Sequence, residues 1–237
     1  MRIAILTTQS PHHARFVAAM SERHKVAGVL VETDLPAAPF DTSHPMDGER
    51  DAFERDTWFS GSEPALGDLA PAVAFPSLST SSAAEKLADF KAEVAIVFGT
   101  RKLSGPILAV LGQRLVTLHC GAPQEYRGLD TDLWAVYHGD FKGLVTTVQY
   151  VEPDLNTGAV LEQKPIRLHH GMKLHQLRHA STETFIDISD AAVTSFSAGR
   201  IRIVTPLQQR GRKYSFMPRV LKEICAEKFR RHTEALN

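Results

Sequence analysis

The first 32 residues set the fold class. Arg2 to Thr7 (RIAILT) is a short apolar run, Ser10-Pro11 opens a helical stretch to about Arg23, and Lys25 to Glu32 (KVAGVLVE) is a second run rich in β-branched residues. Strand, helix and strand in so short a span make a βαβ unit, and βαβ units build parallel sheets. Pro11 suits the first helical turn and Ser10 the position that caps it. No GxGxxG follows the first strand, which argues against a dinucleotide cofactor.

The alternation continues along the chain. Residues 33 to 66 are less regular: Pro36, Pro39 and Pro45 punctuate a polar loop, and DGERDAFERDTWF reads as one exposed helix carrying Phe53, Trp58 and Phe59, an excursion over the surface. Ala72 to Phe75 is a short strand, Ser81 to Phe90 an amphipathic helix and Ala92 to Phe98 a buried strand. Pro106 then starts the helix Ile107 to Leu111. RLVTLH (114 to 119) is the next strand, and the glycine- and proline-bearing run after it forces the chain off the sheet. His119 should therefore stand at a strand's carboxyl end, where open α/β sheets place their ligands.

Asp130 is expected to cap a helix running through Trp134 to His138. Val145 to Val151 and Ala159 to Leu168 read as strands around the turn Pro153 to Gly158. From Lys173 to about Phe196 the chain reads as a long helix with Leu174, Leu177, Phe185, Ile188 and Ala192 on one stripe. Arg200 to Val204 is a last short strand and Pro218 to His232 a last basic helix. The fold expected is a doubly wound, mostly parallel, Rossmann-like α/β domain over residues 1 to 168, with a helical extension over 169 to 237 packed on it.

Composition limits the partners. At 43% hydrophobic and 23% charged, 237 residues can bury a full core, as one large domain or a domain with an appendage. Lys+Arg and Asp+Glu both count 27, so no net field draws the chain to nucleic acid or anionic lipid. No apolar stretch is long enough to cross a bilayer, and the first is too short for a signal peptide. Cys120 and Cys225 have neither metal-site nor disulfide-framework spacing, which fits a reducing cytosol. The expected setting is cytoplasmic, with a small-molecule substrate and a second copy of the chain as the partner to consider.

Several short motifs stand in one order: FGT at 98 to 100, TLH at 117 to 119, YRG at 126 to 128, WA at 134 to 135, GD at 139 to 140 and LNTG at 155 to 158. Together they resemble the formyltransferases that use 10-formyltetrahydrofolate. The resemblance implies transfer of a formyl group to a small nitrogen nucleophile, with a histidine and an asparagine stabilising the oxyanion and an aspartate orienting the histidine. Carried over, the histidine is His119, while Thr117 stands at the asparagine position and Asn156 at the aspartate position. The resemblance further implies folate contacts from Phe98, Gly99, Thr100, Leu103, Val151 and Glu152, and substrate contacts from Tyr126 and Arg127; His12, at the start of the first helix beside the sheet's carboxyl edge, is a further candidate for the substrate.

Other readings stay open beside it. A relative that no longer uses folate, acting through His119 as a hydrolase, cyclase or lyase, would carry the same motifs, as would a binding protein that kept the cleft. Asn156 cannot take up a proton, and Glu125 and Asp154 are the acids a loop can bring near in its place. Cys120 reads as a packing residue before a nucleophile. His12 and His13, at a helix amino terminus by the sheet edge, can touch an anionic substrate or simply face solvent. His175 and His179 have a metal-ligand spacing without a third ligand, so no metal is expected.

Overall fold

The computed structural model describes residues 1–151, 159–200 and 211–236. In chain order the elements are β1 (Arg2–Thr7), α1 (Pro11–Arg23), β2 (Lys25–Glu32), α2 (Pro45–Phe59), α3 (Leu66–Leu69), β3 (Ala72–Phe75), α4 (Ser81–Asp89), β4 (Val94–Val97) and α5 (Pro106–Leu111). They continue with β5 (Leu115–Cys120), β6 (Tyr126–Gly128), α6 (Thr131–His138), β7 (Val145–Tyr150), β8 (Val160–Pro165), α7 (Leu177–Ser197), β9 (Arg212–Tyr214) and α8 (Arg219–Glu234). Among the described residues, seven strands form one sheet in the order β3-β2-β1-β4-β5-β7-β8. The pairs from β3 to β5 are parallel, and β7 and β8 add antiparallel at one edge.

The chain leaves β1 towards β2 on one side and returns to β4 on the other, so the topological switch point lies between β1 and β4. Both faces are covered. Ile3, Ile5, Val94, Ile96, Val116 and Leu118 point to one side, under α1 and α7, where Phe16, Val17, Phe185 and Ile188 meet them. Ala4, Leu6, Ala95, Val97 and Leu115 point to the other, under α4 and α5. The strict alternation of side chains along each strand is what divides the two cores. The apolar stripe expected on the long helix is buried at all five positions, and part of it covers the sheet itself.

Three local expectations differ from what forms. The helix over 45–59 is not a surface excursion: Met46 is buried and Glu54 is fully buried, because Arg178 of α7 bonds both Glu54 oxygens, at 2.8 and 2.6 Å. Ser10 precedes α1 but does not cap it, since its hydroxyl lies 2.9 Å from Nδ1 of both His12 and His13. Asp130 likewise precedes α6 without capping it; it holds a left-handed φ of 48°, and its Oδ2 accepts the Met217 amide at 2.7 Å.

A two-stranded ribbon, β6 with β9, was not legible as strands. It ties the loop after His119 to the carboxyl-terminal part of the chain. Most of the strand expected over 200–204, and the turn 153–158 with Asp154 and Asn156, lie outside the described residues, as does Glu152.

Candidate active site

His119 is the last but one residue of β5, the strand next to β4, and it is 7% exposed. Nε2 stands 2.7 Å from the Tyr126 carbonyl oxygen. A carbonyl only accepts, so Nε2 carries the hydrogen and Nδ1 of the neutral ring carries the lone pair. Burial pushes the ring's pKa down to about 4, while the Tyr126 carbonyl opposes the shift. Among the described residues Nδ1 has no partner. The geometry therefore gives a neutral imidazole held by one nitrogen, with the other able to take a proton.

Thr117 lies two residues earlier on the same face of β5, opposite Gln149 of β7. Its hydroxyl donates to the Val97 carbonyl at 3.3 Å, a bond at the long end of the range. Leu115, two residues earlier still, packs with Val97, Leu103 and Val151. These four make an apolar wall at the carboxyl end of β4 and the start of β5. The segment that carries Leu103 is pinned from below: buried Glu32, at the end of β2, accepts the amides of Arg101 at 2.7 Å and Leu78 at 3.2 Å and pairs with the Arg101 side chain. Leu103 is 4% exposed, yet among the described residues neither its N–H nor its C=O has a hydrogen bond.

Of the other residues expected near a folate, Gly99 has a left-handed φ of 80°, and a side chain there would meet His13 Nε2 at 2.3 Å. Only glycine suits both demands. Thr100 turns its hydroxyl to the Arg101 carbonyl at 3.0 Å. Phe98 points to the opposite face, against His12, His13, Phe16 and Phe185, and its carbonyl accepts the Thr7 hydroxyl at 2.8 Å.

The amino end of α1 brings two more neutral histidines to the switch point. His13 is 4% exposed, with Nδ1 2.9 Å from the Thr8 hydroxyl, and burial pushes its pKa down to about 3. Burial first, then the fields of His13, Arg178 and Arg50, holds His12 well below its ordinary value. His12 therefore offers an anion no charge.

Tyr126 is buried and orients His119 through its backbone, while its hydroxyl donates to Asp140 at 3.0 Å and its ring stacks on Tyr214. Arg127 donates to the Gly211 carbonyl at 2.8 Å. Glu125 is exposed. Burial and nearby Asp132 push the Cys120 thiol well up, which makes it a packing group. His175 faces Glu49 at 3.4 Å and His179 stacks on Trp58.

Sequence reasoning passed over three residues that shape this edge. Glu32 was hidden at the end of an ordinary strand, although a carboxylate closing an apolar run is a signal in itself. Arg178 sits on a helix read for its apolar stripe. Asp132 follows the residue whose hydroxyl, that of Thr131, donates to the Cys120 carbonyl, which docks the first turn of α6 on the strand end that carries His119.

The comparisons agree with this architecture. The family described as Formyl transferase matches residues 1–184. Glycinamide ribonucleotide transformylase 1 from Symbiobacterium toebii is similar in fold, with TM-score 0.60 and 19% identity over 90% of this chain and 92% of that one. The formyltransferase PseJ from Anoxybacillus kamchatkensis, solved with UDP-4,6-dideoxy-4-formamido-L-AltNAc and tetrahydrofolate, gives TM-score 0.53 and 15% identity over 91% and 86%. A sugar N-formyltransferase from Shewanella sp FDAARGOS_354 gives 0.58 and 10% over 91% and 76%. No curated protein matches the chain in sequence. With its sheet order and a match over residues 1–184 of 237, the chain belongs to the formyl transferase family and is a transferase.

Proposed function

We propose that this protein moves a formyl group from 10-formyltetrahydrofolate to the nitrogen of a small-molecule acceptor, with His119 at the reacting carbon. The observation that carries the reading is the state of His119: neutral, held at Nε2 by the Tyr126 carbonyl and open at Nδ1. An amine attacking the formyl carbon becomes acidic as its C–N bond forms, and Nδ1 can take that proton. The imidazolium so formed keeps Nε2–H on Tyr126 and presents Nδ1–H to the oxygen on which negative charge has developed. When the bond from carbon to the folate nitrogen breaks, the same proton leaves with that nitrogen. The Tyr126 carbonyl thus orients the ring and steadies its charged form, a part that the resemblance gives to an aspartate whose place in the sequence Asn156 takes.

The folate ring fits the wall of Val97, Leu103, Leu115 and Val151, with the open backbone of Leu103, and Gly99 and Thr100 stand on the segment between Val97 and Leu103. His12, Tyr126 and Arg127 are then left to the acceptor side. The balanced charge and the family's acceptors favour a small molecule over a nucleic acid.

Incubating the chain with 10-formyltetrahydrofolate and a panel of amino sugars, free and nucleotide-linked, tests the reading. Tetrahydrofolate should appear only with an acceptor present, and His119→Ala should lower kcat/KM by roughly a hundredfold or more. A His119→Ala variant as active as the wild type would remove the centre of the proposal.

A further inference from the structure

The carboxylates on the elements around the strand end that carries His119 are held by groups from other segments or turns, with one exception. On α2, Asp47 is held by Lys222 at 2.8 Å and Arg50 at 3.0 Å, and Asp51 by Arg50 at 3.1 Å and Arg178 at 2.6 Å. Glu54 is held by Arg178 at 2.6 Å. Asp130 accepts the Met217 amide. Asp132 makes no ion pair among the described residues, and its Oδ1 accepts only from the amide side of its own helical turn, Leu133 N–H at 2.8 Å. It is partly buried, and it follows Thr131, whose hydroxyl is bonded to the Cys120 carbonyl one residue past His119.

Arg50 of α2 and Arg178 of α7 lie within electrostatic reach of both Asp132 and His12 of α1. Because those arginines are already paired with Asp47, Asp51 and Glu54, Asp132 is left without an ion pair, as Asp130 is, and unlike Asp130 it has no hydrogen bond from another segment among the described residues. A carboxylate in that position suits a cation from outside the chain. On the strand end where the first turn of α6 docks, a second group lacks a partner among the described residues, Nδ1 of His119, a residue 7% exposed.

We infer that Asp132 receives the ammonium group of the formyl acceptor and takes from it the proton that must leave before the nitrogen can attack. The inference rests on the transferase reading above and adds the residue that selects a basic amine. The protons balance. Asp132 takes one from the ammonium and returns it to solvent. The free amine forms the C–N bond with the formyl carbon and gives a second proton to His119 Nδ1. As the bond between that carbon and the folate nitrogen breaks, this proton passes to the folate nitrogen, leaving a formamide and tetrahydrofolate.

Burial raises the Asp132 carboxyl above the usual carboxylate range, against the pull of its own turn's amides, Arg50 and Arg178. Cys120 of β5, with its thiol pushed well up, and Asp130, also raised by burial, face it as well; Lys222 of α8 acts on Asp130. A base so placed sits closer to an amine in proton affinity than an exposed aspartate does.

The test compares a UDP-linked amino sugar with hydroxylamine, which is neutral at pH 7 and needs no such deprotonation. kcat/KM is measured for the wild type, Asp132→Asn and Asp132→Glu from pH about 5 to about 9. Asp132→Asn should lower kcat/KM for the amino sugar by roughly a hundredfold and for hydroxylamine less than about tenfold, and it should remove the acidic limb of the amino-sugar profile. Asp132→Glu should recover part of the loss. Equal losses for both nucleophiles, or an Asp132→Asn profile that matches the wild type, would overturn the assignment and leave the transferase reading standing. If the wild type formylates neither nucleophile, it is the transferase reading that falls first.

Discussion

His119 and His13 show what a buried, neutral imidazole does to the fold as well as to the chemistry. Burial lowers their pKa values to about 4 and about 3, whereas in the unfolded chain each returns to about 6.5. Between those limits the unfolded state binds a proton that the folded state refuses, so stability must fall as pH drops below about 6.5, and above it the effect vanishes. For His119 the difference between pH 7 and pH 5 is about 2 kcal/mol. Urea denaturation of the wild type and of His119→Gln at both pH values measures it. The variant should lose less on acidification by that amount, and an identical loss would mean that the ring is solvated in the native state.

Much of this residue-level picture could be read from the sequence, because a strand followed by glycine and proline fixes where a side chain stands. The direction of the hydrogen bond could not, since the Tyr126 carbonyl reaches Nε2 only through a loop of seven residues that carries no periodic signal. Asp132 was equally hidden, as one of two acids in RGLDTDLW, until the Met217 amide on Asp130 sets it apart.

At the scale of elements, the seven strands of the sheet were legible because β-branched runs between turns are local signals, whereas the placing of α2 was not. Its Asp47, Asp51 and Glu54 lie on one helical face and read as solvated, and the arginine that buries Glu54 is 124 residues further along the chain. The pair fastens α2 to α7, and with Glu54 fully buried, removing the partner strands a charge in a low-dielectric site. Arg178→Met alone should therefore cost roughly 3 kcal/mol, and Arg178→Met with Glu54→Leu much less, because the second change removes the stranded charge. A double-mutant cycle by chemical denaturation decides it: additive losses would show that Glu54 finds water once Arg178 is gone.

For the whole molecule the consequential feature is the ribbon of β6 and β9, two three-residue strands too short and too far apart to be paired from sequence. It makes the carboxyl-terminal part of the chain a support for the loop that orients His119. Gly211 N–H donates to the Gln124 carbonyl at 2.7 Å, Arg212 N–H to the Glu125 carbonyl at 3.1 Å and Leu129 N–H to the Tyr214 carbonyl at 3.1 Å, while α8 packs Cys225 and Phe229 against α6. The weak point is Gly128, with φ at 100° and a built side chain only 2.0 Å from the Tyr214 carbonyl oxygen. Gly128→Val should force the two strands apart and strain its own backbone, so the Tyr126 carbonyl would no longer hold Nε2 in place. The sheet shares no strand with this ribbon and should persist. The expected result is a loss of about tenfold or more in kcat/KM with an unchanged far-ultraviolet dichroism spectrum, together with faster proteolytic cleavage between residues 211 and 218. Wild-type turnover in a Gly128→Val protein that is cleaved faster would show that His119 is oriented without the ribbon, and the support assigned to the carboxyl-terminal segment would then have to be abandoned.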